Sequence, residues 1–139
     1  MKMVQNRLIC PACRHVFDTS VQPPNPVQCP KCKAMVQIPS QGLLKIYRMG
    51  NFMGGAAPAS IYINEQPCGH LANQGSINIP LNSGTYKIHM ALNMNRRCND
   101  PVIQVTPEKP LHCYKMHIKV GVWSSTMVLE EADPASMPQ

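Results

Sequence analysis

Four cysteines near the amino terminus, Cys10, Cys13, Cys29 and Cys32, have the type and spacing to hold a metal ion. Each pair is Cys-x-x-Cys, and fifteen residues separate the pairs, a spacing within the four-cysteine zinc pattern. Thiolate is a soft ligand. Four thiolates complete a closed tetrahedron around zinc at ~2.3 Å and leave no position for water or substrate. The phrase is also repeated: "LICPACRHVF" and "VQCPKCKAMV" each read apolar–Cys–Pro–x–Cys–basic and run on into a short apolar stretch. Pro11 and Pro30 preset φ within turns that aim both sulfurs of a pair at one point. The expectation is a single structural Zn2+, with iron as the competing metal.

Short hairpins must position these sulfurs. Leu8 and Ile9 before the first turn, with Val16 and Phe17 after it, suggest one pair of arms. Val27, then Val36 and Ile38, suggest the other, and "TSVQPPNPVQ" is the loop between. A segment of about 40 residues buries too little surface to fold unaided. Metal binding supplies ~10–16 kcal/mol of apparent free energy to such a unit.

Over residues 7–39, "ICPACRHVF … VQCPKCKAMVQIP" resembles the short prokaryotic zinc ribbon, two CPxC knuckles each followed by a strand. The resemblance implies zinc binding with Cys10, Cys13, Cys29 and Cys32 as ligands, and no single shared activity. That family usually has glycine after each knuckle, where this chain has Arg14 and Lys33. If those positions require positive φ, each substitution costs about 1 kcal/mol, small beside the metal.

The bulk composition bounds the remainder. Fourteen prolines are spread through the 139 residues, and an interior proline costs a helix ~3 kcal/mol or more, so long helices are not expected. The start has no apolar run of signal-peptide length, and nothing approaches the ~20 apolar residues of a membrane span. A cytoplasmic location is expected, where paired CxxC units favour metal over disulfides. The formal charge is +6. Four of these charges lie in residues 1–40, and two negative charges from a four-thiolate divalent site would offset half of them.

After "PSQG" the pattern alternates with period two, the signature of half-buried strands. "TYKIHMAL" places Tyr86, Ile88, Met90 and Leu92 inward, with Lys87 and His89 outward. "HCYKMHIKV" places Tyr114, Met116, Ile118 and Val120 inward, with Cys113, Lys115, His117 and Lys119 outward. "LLKIYR", "SIYIN", "SINIPL", "PVIQV" and "VWSSTMVLE" complete about seven short strands. The expected fold is mainly β: a small zinc ribbon (1–39), a linker (40–42), a seven-stranded antiparallel β-sandwich (43–130) and a disordered tail (131–139). Residues 60–90 also resemble, loosely, PEGA-type and related regulatory-like bacterial β-domains, with Gly69, Pro80, Gly84 and Tyr86 in the matching places. That likeness implies a non-catalytic binding module and carries over no functional residue.

Other residues invite chemistry and supply little. Cys113 and His117 lie four apart on a strand, ~13 Å at ~3.3 Å per residue, too far to share an ion. Cys68, Cys98 and Cys113 are read as semi-buried apolar residues or free thiols, with a site across strands or a disulfide as the alternatives. "GNFMGGAAPAS" lacks the Lys–Ser/Thr ending of a phosphate loop and reads as a strand connection. Phe52 and Met53 within it, with Arg96 and Arg97 in a later loop, are the candidate partner surface. Lys87, His89, Lys115, His117 and Lys119 could line one basic face, but nucleic-acid binding wants interleaved aromatics for stacking. Asp18, Glu65, Asp100 and Glu108 are scattered and show no acid–base pair. The expectation is therefore a non-enzymatic zinc-binding module that docks a macromolecular partner, protein by preference. A nucleic-acid-binding ribbon protein and a redox-responsive zinc switch are the alternatives.

Overall fold

A computed structural model describes residues 5–23, 25–49, 58–72, 75–92, 98–120 and 125–136. Among these the chain forms twelve strands: β1 (Asn6–Ile9), β2 (Val16–Thr19), β3 (Val27–Gln28), β4 (Met35–Val36), β5 (Gly42–Arg48), β6 (Ala59–Ile63), β7 (Gln66–Leu71), β8 (Ser76–Leu81), β9 (Gly84–Leu92), β10 (Val102–Val105), β11 (Leu111–Val120) and β12 (Ser125–Glu131). A single 3-10 turn follows at Pro134–Ser136. No helix among the described residues is long and apolar enough to cross a membrane.

The mainly β class is as expected. β1–β2 and β3–β4 are the two hairpins that carry the cysteine pairs; the remaining strands number eight rather than seven, and β1–β2 joins them in the two layers of a sandwich. One layer is a six-stranded sheet in the order β12-β11-β5-β8-β1-β2, and the other is four-stranded, β10-β9-β6-β7. β3 and β4 form a separate two-stranded ribbon. Alternation does the packing. Leu44 and Ile46 of β5, Ile61 of β6, Ile88 and Met90 of β9, Met116 of β11 and Met127 of β12 are each fully buried in one cluster between the layers. Burying side chains of this size contributes about 1.5–3 kcal/mol each.

The extra strand is β7, "QPCGHL", which Pro67 and Gly69 disguise. It lies at the edge of the four-stranded sheet, where a proline removes no ladder bond. Pairing with β6 slips between Ser60↔His70 and Tyr62↔Pro67, and Gly69 takes the slip with φ of 77°, as a bulge glycine does. Asn64 and Glu65, both at positive φ, close the β6–β7 hairpin in the manner of a two-residue I′ turn.

The six-stranded sheet is not wholly antiparallel. β11 runs parallel to β5 from Leu111↔Leu43 to Met116↔Arg48, because the chain visits the four-stranded sheet between them and so has the crossover length that parallel pairing needs. β1 also pairs parallel with β8 through Asn6↔Asn78. The first cysteine-bearing hairpin is thus part of the large sheet. At the corner between β8 and β9, the Tyr86 hydroxyl donates to the Asn82 carbonyl at 2.8 Å, the device that pins tyrosine corners in other sandwiches.

Two side-chain expectations change. Cys113, expected to face outward, is 2% exposed. The N–H of Ala132 donates to the Cys113 carbonyl at 2.8 Å and carries the β11–β12 ladder one residue past Glu131. The basic residues do not share a face either: Lys87 and His89 lie on β9 of the four-stranded sheet, and Lys115, His117 and Lys119 on β11 of the other. Alternation sends their side chains to opposite sides of the molecule.

Candidate metal centre

The two knuckles are copies in backbone as well as in sequence. The N–H of Cys10 donates to the carbonyl of His15 at 2.9 Å, and the Arg14 N–H returns to the Cys10 carbonyl at 2.7 Å. Cys29 repeats this with Ala34 at 2.8 Å and Lys33 at 3.0 Å. Arg14 and Lys33 have φ of 63° and 69°, so both stand in the left-handed backbone where glycine is the unstrained choice.

The turns bring the four sulfurs together in crossed pairs. Cys10 Sγ lies 3.6 Å from Cys32 Sγ, and Cys13 Sγ lies 3.6 Å from Cys29 Sγ. All four fall within 4.8 Å of one another. A disulfide needs ~2.05 Å, whereas a tetrahedron of zinc–sulfur bonds of ~2.3 Å has edges of ~3.8 Å. The cluster has the dimensions of a metal cage, and the four cysteines are positioned to hold an ion. Cys10 and Cys29 are fully buried and pack with Val36, with Phe17 and Val27 half-buried against them. The His15 ring stacks on Phe17 with centroids 6.2 Å apart.

Electrostatics explain why the cluster wants a cation. The Cys13 N–H, then that of Ala12, pulls the Cys10 thiol below its ordinary range despite burial. At Cys29 burial pushes upward but is outweighed by the N–H groups of Cys32 and Lys31, and the value falls to about 6. At Cys32 the Ala34 N–H pulls downward, but burial and the neighbouring sulfurs outweigh it, and the value rises to about 12. Without an ion the sulfurs cannot all be thiolates side by side. A divalent cation removes that conflict.

An arginine couples this hairpin to the sandwich. Arg7 of β1 donates Nε and Nη2 to the two carboxylate oxygens of Asp18 on β2, at 2.8 and 3.2 Å. Its Nη1 donates to the carbonyls of Cys68 and His70 on β7. A methyl group on Gly69 would lie 3.0 Å from that Nη1. The sequence offers no signal for this contact, because Arg7 and β7 are some sixty residues apart.

Phe52, Met53, Arg96 and Arg97 lie outside the described residues. Cys68 is buried in the core at 1% exposed. His112 is also buried, its Nε2 donating to the Gln104 carbonyl at 2.9 Å. A second convergence, which local spacing does not reveal, joins His89, Cys98 and Asp100. Burial first, and the Asp100 carboxylate to a lesser degree, push the Cys98 thiol upward, the reverse of what an activated nucleophile needs. Comparison with family models, curated proteins and solved structures finds no match for this chain.

Proposed function

We propose that the protein is a zinc-stapled, non-catalytic binding module of zinc-ribbon type that docks a protein partner in a reducing, cytoplasmic setting. The observation that carries the reading is the sulfur cage: four ligands at tetrahedral spacing, which close the coordination sphere against substrate. Zinc suits four thiolates and has no redox chemistry of its own. Seven cysteines with no disulfide among them favour a reducing compartment.

The docking surface we favour is the groove at the seam between ribbon and sandwich. It encloses about 530 Å³ and is lined by Pro23, Pro39, Pro80, Pro110 and Leu111, with Asn6 and Gln22 at the polar side. Prolines contribute apolar surface without a backbone N–H to satisfy, which suits an apolar peptide segment. The split of the basic residues between opposite faces argues against nucleic acid, which wants one continuous positive surface.

Metal analysis and binding assays test the reading. Purified protein is expected to carry one ion of zinc through gel filtration, and Cys13→Ser is expected to lose it. Protein without a retained ion would end the proposal. Random-sequence nucleic acid is expected to bind weakly. A tight complex that collapses between about 50 and 200 mM salt would replace this reading with the nucleic-acid alternative. Release of the ion by low doses of peroxide would favour the redox switch.

A further inference from the structure

The chain that follows β9 returns to the sandwich in a segment tied to both sheets. Cys98 bridges to Met127 of β12. Asn99 then clamps the same strand: its Nδ2 donates to the Leu129 carbonyl at 2.9 Å, and its Oδ1 accepts the Leu129 N–H at 2.9 Å. On the other side, the Pro101 carbonyl accepts the Ile88 N–H of β9 at 2.9 Å. Between these ties Asp100 has φ of 47°, a left-handed conformation that Asp tolerates better than most residues. There its Oδ1 meets His89 Nδ1 at 2.6 Å. One donor atom each from His89, Cys98 and Asp100 lies within 4.8 Å of the other two.

We propose that His89, Cys98 and Asp100 form a second metal site, independent of the ribbon, that takes zinc or a similar borderline divalent cation. The donor set decides the class. Imidazole nitrogen, thiolate sulfur and carboxylate oxygen are the three ligand types zinc accepts, whereas calcium and magnesium demand oxygen. Ligand bonds of ~2.0–2.3 Å place tetrahedral ligands ~3.3–3.8 Å apart, so the His89–Asp100 pair, now at 2.6 Å, has to open by somewhat under an ångström, while the Cys98 sulfur, already within 4.8 Å of both, has little distance to close. The ion takes the place of the proton now held between His89 and Asp100, and the bridging hydrogen bond opens to admit it. The backbone ties mean that little chain order has to be created on binding, and the Tyr62 ring, 5.6 Å from that of His89, limits the swing of the imidazole. The ribbon cage is closed, but here the side chains of His89 and Asp100 remain 22% and 37% exposed. Solvent therefore reaches the ion, and three protein ligands leave a fourth position for water or a small exogenous ligand.

The test is a Zn2+ titration of the full chain by calorimetry, with bound metal counted afterwards. Two equivalents are expected, one retained through gel filtration and one exchangeable. Asp100→Asn keeps the left-handed backbone and the hydrogen bond to His89 but removes the anionic ligand. It is expected to weaken the exchangeable ion at least tenfold, about the loss that an outer-shell partner alone can produce, and to leave the retained ion in place. Cys98→Ala and His89→Gln are expected to do the same. With Co2+ as the probe, the thiolate-to-metal absorption of the second equivalent is expected to vanish in Cys98→Ala and to persist in Cys13→Ser, which separates this site from the ribbon. Saturation at one equivalent, or a second equivalent unchanged in all three variants, would overturn the proposal.

Discussion

At the scale of single residues, the knuckles carry strain that a bound ion would offset. Arg14 and Lys33 sit at φ of 63° and 69°, and the left-handed region costs a residue with a Cβ ~1 kcal/mol or more relative to glycine. Lys33 recovers little, since its exposed Nζ donates to the Pro30 carbonyl at a long 3.3 Å. Arg14→Gly and Lys33→Gly are each expected to stabilise the metal-loaded protein by up to about 1 kcal/mol, read as a higher denaturant midpoint; a lower midpoint for either would contradict the strain assignment. Cys68 offers a different check. Burial, with Asp18 adding to it and Arg7 opposing it, holds its thiol up to about 11 against an ordinary 9.0. A raised folded-state pKa means its contribution is whole below pH 9 and is lost as pH rises through about 11, because the unfolded chain ionises first. Cys68→Ala is expected to show a shallower loss of stability than the wild type across that interval, measured by denaturant unfolding at each pH. Parallel slopes would count against a buried, protonated thiol.

At the scale of elements, the contest is between the weak pairing of the cysteine-bearing hairpins and what anchors them. β3 and β4 pair through two residues each, and a two-stranded hairpin is marginal in water on its own. β1 has more support: four pairs with β2, one with β8, and the Arg7 contacts to β7. Chelation is therefore expected to abolish amide protection in β3–β4 and only reduce it in β1–β2, as read by hydrogen exchange. Equal loss in both hairpins would mean that β1 gains nothing from the sheet. Arg7→Ala removes charge-assisted hydrogen bonds at a side chain 14% exposed and is expected to destabilise the β1 junction by about 2 kcal/mol. Its effect should appear as faster exchange at β1 with the core strands unchanged. The exposed Lys109–Glu131 pair, 2.7 Å apart on side chains 57% and 56% exposed, belongs to the class worth at most ~1 kcal/mol, and Lys109→Ala should be nearly silent.

At the scale of the whole molecule, two stabilising devices divide the work. Between the layers, burial needs no metal, because Ile, Leu and Met from β5 to β12 fill that core. Among the described residues, the cluster around the cage buries Val36 and two cysteines, with Phe17, Val27 and Cys13 half-buried or packed beside them, too little apolar area to hold a fold. The chain joins the two units edge to edge, so the ribbon has a fixed seat beside the proline-lined groove. Chelated protein is expected to keep a cooperative thermal transition for the sandwich at a lower midpoint; complete loss of cooperativity would show that the ion supports the entire fold.

What the sequence alone determined follows from local chemistry. Cys-x-x-Cys turns bring both sulfurs of a pair together whatever surrounds them, and period-two alternation marks strands wherever one face is buried. The cage residues, the arms of its hairpins and seven of the sandwich strands were therefore legible from spacing. β7 was not, because the Pro67 and Gly69 that disguise it are tolerated only at a sheet edge, and being an edge is a property of the assembled sheet. The same holds for the seat of β1 against β8, for the separation of the basic residues onto opposite faces, and for the meeting of His89 with Cys98 and Asp100. Each depends on which strands lie side by side and on which layer they occupy. Only burial of the complete core selects that arrangement, and so only the tertiary structure decided it.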